Sequence, residues 1–450
     1  MNPIEKRAAV SLAGVFSVRL LGLFMVYPIF ADYARRLPGA TASTIGLALG
    51  IYGLSQGLLQ IPFGLASDRV GRKRMIVMGL VLFAVGSVIA ATAGSIWGMV
   101  LGRVIQGAGA VGSVILALVA DLTAEENRTK AMATVGITIG FSFMAAVVAG
   151  PILASAVGLS GIFWLMAVLA LAGIAITLLV VPEPMTTGAH HRDAEAVPAL
   201  LGSMLRNSEL LRLDFSIFAL HAILTASFLV MPTLLDGALG ITIHDQWLVY
   251  LPVFAVSIVV MIPAIIVAEK YRQMKQVVIA SVAAMTVSQV ALFYDSANVI
   301  MLLAAVAIFF TGFNIMEASL PSLVTKTAPA AAKGTASGIY SSSQFLGIFF
   351  GGLAGGWVHD SFGMAGVFAL STAIGLAWLL VVGTMRQPRY LSSRLLKIGN
   401  GAGVDTLAAR LVDIPGVAEA MVVAEEGVAY LKVDSRTYDP DAAQALARLT

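Results

Sequence analysis

The sequence predicts an all-α polytopic membrane protein, with twelve transmembrane helices in two six-helix bundles and a small α+β C-terminal domain. Three observations predict it. First, 58% of the 450 residues are apolar and only 12% are charged, whereas ordinary soluble domains are about 25% charged. A water-soluble globule of this length cannot bury that much apolar surface. Second, apolar stretches of about 20 residues recur between short polar breaks, each long enough to cross about 30 Å of hydrocarbon as a helix. Third, the charge density changes along the chain. Arg394–Thr450 carries 6 Lys/Arg and 8 Asp/Glu, the density of a soluble domain. The net charge of +3 is too small to argue for nucleic acid. The chain has no cysteine, which excludes disulfides, thiolate metal sites, iron–sulfur clusters and cysteine nucleophiles.

The spans fall at 10–33, 44–63, 75–94, 97–120, 131–155, 160–181, 213–235, 246–268, 277–294, 298–324, 335–358 and 364–385. The first is too long for the core of a signal peptide and reads as a retained helix. Lys/Arg asymmetry sets the orientation. With the N-terminus inside, sixteen basic residues fall in inner loops and only Arg35 and Arg36 in outer ones. An even number of spans then puts both termini in the cytoplasm, with the bundles in a bacterial-type inner (plasma) membrane. The longest polar break, Glu183–Leu211, separates six spans from six. The domains are therefore 1–182, a cytoplasmic linker over 183–212, a second bundle over 213–388, and a cytoplasmic domain over 394–450. Leu200–Leu211 has the character of a short surface helix. His190-His191-Arg192-Asp193 is the one place where a metal is conceivable, and a solvated linker is the simpler reading.

The two bundles repeat a pattern weakly. Pro62, Asp68 and Arg69 after the second span match Pro263, Glu269 and Lys270 after the eighth at one offset. Such repeats mark transporters. The stretch Gly64-x-x-x-Asp68-Arg69-x-Gly71-Arg72-Lys73 resembles the signature of the major facilitator superfamily. Arg103-x-x-Gln106-Gly107-x-Gly109 is a second match. Gly150-Pro151 is the core of a third, the antiporter motif, although Ala146, Ala154 and Ser155 stand where that motif wants glycines. The wording around Phe16–Val26 and Asn314–Leu323, together with the C-terminal domain, is similar to the YajR-type drug-efflux branch. The resemblance implies two bundles working by alternating access, a proton gradient in place of any cofactor, and a monomer in the lipid bilayer. Gly-x-x-x-x-Gly-Lys-Ser/Thr, the nucleotide loop, is absent from the chain.

Physical reasoning assigns roles within that frame. Gly64 and Gly71 allow close approach and a tight turn. Asp68 ends the second span on the side where the eleventh begins, and a helix N-terminus favours an acid there by about 0.3–1 kcal/mol. Asp121 ends the fourth span on the same side and can pair with Arg72 or Arg69. Gly64, Asp68, Arg69, Gly71, Arg72, Lys73 and Asp121 thus read as a latch between the halves; basic loops that only enforce orientation are the simpler reading. Ionisable groups inside spans cost at least about 2.5–3.5 kcal/mol and need a reason. Arg19, His221 and Glu317 fall near one depth, with Arg103 nearer the outer end. Glu317 is the candidate proton carrier, with Arg19, His221 and Arg103 as coupling partners. The alternatives are a static Arg19–Glu317 pair, a neutral structural His221, and an Arg103 that merely binds Gln106 and backbone carbonyls. Tyr27, Gln106 and Asn314 are candidates for the substrate cavity.

In the C-terminal part, Arg394–Ile398, Val417–Ala424 and Val428–Val433 read as strands. Val404–Ile414 and Asp439–Leu449 read as helices. This βαββα order begins a ferredoxin-like unit. The expected function is a proton-coupled exporter of small molecules, lipophilic ones among them, and not an enzyme. A proton-coupled uptake symporter and a membrane sensor signalling through the C-terminal domain are the alternatives.

Overall fold

The computed structural model describes all residues except 184–197, 295–297, 330–331, 388–391, 399–403, 424–426, 435 and 449–450. Most of the linker, including His190-His191-Arg192-Asp193, lies outside the described residues. Among the described residues, ten helices are long and apolar enough to cross a membrane. Two of them, α7 (Glu125–Leu179) and α13 (Lys333–Gly383), break at Gly158 (φ 64°) and Gly363 (φ 67°), where the left-handed region suits glycine. Both helices double back. Ala124, just before α7, donates to Glu5, and Val180, just after it, accepts from Arg7, so both ends meet the first turns of α1 (Pro3–Met25). Counting the two hairpins twice gives twelve crossings.

Local chemistry moves several boundaries. α1 opens on an Asn2–Glu5 capping box and stops at Met25. Pro28 sits in a turn before the short α2 (Phe30–Ala34), so the first span is not one helix to residue 33. The fourth span is two pieces, α5 (Ile96–Ala108) and α6 (Gly112–Asp121), divided at Gly109. The expected surface helix is confined to α8 (Pro198–Met204). Asn207 accepts from Glu209 N and Leu210 N, which starts α9 (Ser208–Leu239) there. The seventh span therefore begins five residues before the position expected. The remaining spans are α3 (Ala42–Val70), α4 (Arg72–Ala91), α10 (Trp247–Lys270), α11 (Met274–Tyr294) and α12 (Val299–Thr327).

The halves meet along α3 and α13. Gly46 packs on the backbone of Gly352 and Gly356, and a methyl group at Gly50 would lie 2.8 Å from the Phe349 carbonyl oxygen. Glycines on another side of α13, Gly347 and Gly351, lie on the backbone of Phe218 and Ala222 in α9. Small residues at four-residue spacing let helix backbones touch in lipid. At one end of this seam Asp360 accepts from Ala42 N, Ser43 N and Ser43 Oγ. Toward the other end, which carries Asp68, the contact loosens: a methyl at Gly57 would be 3.2 Å from Ser342 O, and one at Gly338 3.7 Å from the Ile61 side chain.

The C-terminal domain has β1 (Ser392–Lys397), α14 (Val404–Val412), β2 (Val417–Val423), β3 (Val428–Val433) and α15 (Pro440–Arg448). The sheet is antiparallel in the order β1-β3-β2. Leu407 and Leu411 from α14 and Ala443 from α15 cover Leu396, Leu431 and Val433.

Candidate functional site

The interior between the halves is lined by rings. Phe24 and Phe143 meet edge-on with centroids 4.9 Å apart. Phe143 reaches across to Phe254 at 5.8 Å and Phe313 at 5.1 Å. Tyr27 packs on Phe228 at 5.5 Å, and its hydroxyl lies 3.2 Å from Thr225 Oγ1. Tyr27 thus joins α9 from the turn after α1.

Beside this aromatic layer, His221 and Glu317 come together. Glu317 projects from α12 and His221 from α9, with Nε2 3.8 Å from Glu317 Oε2. Gln344 of α13 stands between them. Its amide nitrogen is 2.9 Å from His221 Nε2 and 3.4 Å from Glu317 Oε1. His221 Nδ1 lies 3.3 Å from Ile217 O. The consistent assignment is a neutral ring that donates from Nδ1 to Ile217 and accepts from Gln344 at Nε2. Glu317 Oε2 has no hydrogen-bond partner among the described residues. The arrangement can hold one proton on a carboxylate oxygen that takes no hydrogen bond from the described residues, with Gln344 linking the carboxylate to the imidazole.

Arg19 is not in that cluster. Its Nη2 donates to Tyr52 Oη at 2.9 Å and to Gln56 Oε1, both on α3. Arg103 donates to Gln106 Oε1 at 2.7 Å and to the carbonyls of Ala48 and Leu49 at 3.3 Å. Its guanidinium also stacks over the Tyr52 ring at 4.7 Å. Gln106 continues to Ser87 Oγ at 2.8 Å. Asn314 donates to Ser257 Oγ at 2.7 Å, which ties α12 to α10. A methyl group at Gly150 would lie 2.5 Å from Met25 O, and Pro151 follows within α7. Gly150 therefore brings α7 onto the end of α1.

The signature loop forms a charged cluster in the first half. Arg72 pairs with Asp68, with Asp121 at 3.2 Å and with Ser67 Oγ at 2.5 Å. Gly71 has φ 100° between α3 and α4, Gly64 faces Ser113, and Arg69 is exposed. Lys73 donates to Val181 O at 3.0 Å and to Glu183 at 2.6 Å. In the second half, Glu269 pairs with Lys326 at 2.5 Å. Arg272, where the first half has Gly71, has φ 59°, which a non-glycine residue adopts only under local strain.

The C-terminal domain docks on this second loop. Arg272 holds Asp434 at 2.8 Å, which lowers the Asp434 carboxyl below its ordinary range. Lys432, 3% exposed, donates to Ala328 O and to Lys326 O at 3.3 Å, capping the C-terminal end of α12.

Sequence reasoning missed Gln344, Tyr52, Gln56 and Ser67. The run Ser341-Ser342-Ser343-Gln344 inside an apolar span was a usable signal for the first. The others sit in α3 among residues that look like ordinary packing.

Comparisons with known proteins agree with this architecture. The family model for the Major Facilitator Superfamily matches residues 12–352 and again 213–409. The YajR YAM domain matches residues 399–439. The inner membrane transport protein YajR of Escherichia coli strain K12 is 44% identical over 437 residues, 97% of this chain and 96% of that one. The multidrug resistance protein MdtH of Aeromonas hydrophila is 28% identical, over 76% of this chain and 85% of that one. Among solved structures, a bacterial homologue of the human lysosomal transporter Spinster superposes with a TM-score of 0.67 at 12% identity. It covers 86% of this chain and is itself 98% covered, a likeness of fold alone.

Proposed function

The chain belongs to the major facilitator superfamily, a family of transporters and not enzymes, and from that premise we propose that it is a proton-coupled antiporter. It exports small, lipophilic molecules across an inner membrane by alternating access. Glu317 carries the proton. The observation that supports this best is a carboxylate with one unpartnered oxygen, 3.8 Å from His221 Nε2 and bridged by Gln344, beside an aromatic chamber shared by both halves. In the low dielectric of the interior, a change in the charge of such a group alters the balance between two packings of the halves. Resemblance to a multidrug resistance protein favours export of apolar compounds.

Both termini face the cytoplasm in this proposal, following the inner-loop Lys/Arg excess. The end tied by Asp360 is then outside, and the arrangement described is closed outward and loosened inward. Asp68, Arg72 and Asp121 form the latch that engages the eleventh span when the inner end closes. Gly64, Gly71 and Gly150-Pro151 give the close approaches that the motion needs, while Arg69 and Lys73 hold the inner loop.

The experiment is transport in proteoliposomes bearing an imposed pH gradient. Glu317→Gln is expected to lose gradient-driven uptake of a lipophilic dye, tested with anionic and cationic dyes side by side, by about tenfold or more, while gradient-free exchange persists. Retention of full gradient-driven transport by this variant removes Glu317 from the coupling.

A further inference from the structure

Two arginines in the membrane part of the first half are deeply buried, and they differ in one respect. Arg103 spends its guanidinium on Gln106 and two carbonyls and stacks on Tyr52. Arg19, 2% exposed, uses only Nη2, on Tyr52 and Gln56. Its Nε is covered and has no partner among the described residues, and neither has Gln56 Nε2. Among the described residues Arg19 forms no ion pair, and Glu317 turns instead to Gln344 and His221. A full positive charge and two idle donor groups are thus held inside a membrane protein. Unpaired buried charge is expensive, and buried polar groups almost always find partners. Across the seam, Ser342 Oγ of α13 is also buried, without a partner among the described residues. The backbone of Ser342 faces Gly57, the residue after Gln56. Idle polar atoms therefore sit on both halves at the same stretch of the interface, next to the aromatic layer at Tyr52 and Phe345 (centroids 6.4 Å).

We infer that Arg19 and Gln56 hold the anionic group of the carried molecule, so that the substrates are small organic acids with an apolar body. This rests on the transporter reading above and names its substrate class. A carboxylate only accepts hydrogen bonds, which matches the idle donors at Arg19 Nε and Gln56 Nε2. It also supplies the missing counter-charge, and the idle Arg19 Nε gives it a charge-assisted hydrogen bond. Water can satisfy the donors but leaves the charge unpaired.

The test uses the full-length protein in phosphatidylcholine nanodiscs with two probes of equal size and opposite charge, 4-phenylbutyrate and 4-phenylbutylamine. Equilibrium dialysis reads binding, and thermal unfolding reads integrity. Phenylbutyrate is expected to bind saturably and more tightly than the amine. Arg19→Gln is expected to weaken it about tenfold or more, with Arg19→Lys in between. Gln56→Glu keeps the shape and places a carboxylate beside Arg19, so it is expected to abolish phenylbutyrate binding without lowering the unfolding temperature. The inference is overturned by any of four results: no saturable phenylbutyrate binding, tighter binding of the amine, unchanged phenylbutyrate affinity in Arg19→Gln, or unchanged phenylbutyrate affinity in Gln56→Glu. Gradient-driven flux of the amine that is indifferent to Arg19 leaves the antiporter standing and removes this site. Arg19-dependent binding without gradient-driven flux does the reverse.

Discussion

Asp434 lies outside the membrane, and its carboxyl is held below the ordinary range chiefly by the Arg272 hydrogen bond. A depressed acid stabilises docking at every pH above its unfolded value, about 4, and loses that contribution as pH falls through the lowered value. The C-terminal domain should therefore stay docked, with no pH dependence, between about pH 5 and 8. Asp434→Asn should reproduce the acid effect at neutral pH, seen as faster amide hydrogen exchange in β3. If exchange in β3 varied across pH 5–8 in the parent protein, the pair would not be what fixes the domain. A pH response of transport in that window therefore does not arise from the Arg272–Asp434 pair. Arg272 also carries a cost. At φ 59° it is strained by roughly 1 kcal/mol, and Arg272→Gly should relieve the backbone while releasing Asp434.

At the scale of elements, the glycine seam between α3 and α13 decides how closely the halves can meet. Gly352→Val puts a branched side chain against Gly46 and Gly50, where backbone already touches backbone. It should force that end apart and reduce transport severely while leaving each bundle folded. Because the chain has no native cysteine, crosslinking of Ser43→Cys with Trp357→Cys, two positions that line one cavity at this end, reports the closure directly. Crosslinking as efficient in the Gly352→Val background would contradict the role given to the seam. Lys432→Met removes the donor from the last carbonyls of α12 and should cost about 1–3 kcal/mol of local stability, read as faster exchange just after residue 327. The spans were legible because length and hydropathy suffice to define them, and the strands and helices of the C-terminal domain came within a few residues of their expected places. The seam was not legible, because Gly46 and Gly352 are paired only by the packing of helices distant in sequence. The break at Gly109, the stop at Met25 and the docking of Lys432 on Ala328 likewise depend on tertiary contacts. Within the site, Arg19, His221 and Glu317 stood out as costly residues in apolar spans. Their partners did not, so a pairing of Arg19 with Glu317 looked natural until Tyr52, Gln56 and Gln344 were seen to take those contacts.

For the whole molecule, the proton on Glu317 is the quantity proposed to set which end of the seam is closed. The halves are joined tightly at Asp360 and loosely toward Asp68, and ligand or proton can only shift such a balance through a difference in affinity between the two arrangements. The most direct measurement is the distance distribution between spin labels on engineered cysteines at 44 and 357, and at 70 and 337, as pH is varied in nanodiscs. In the parent protein the two distances should change in opposite senses with pH, and in Glu317→Gln both should be fixed across the same range. An unaltered pH response in Glu317→Gln would contradict the proposed role of the proton.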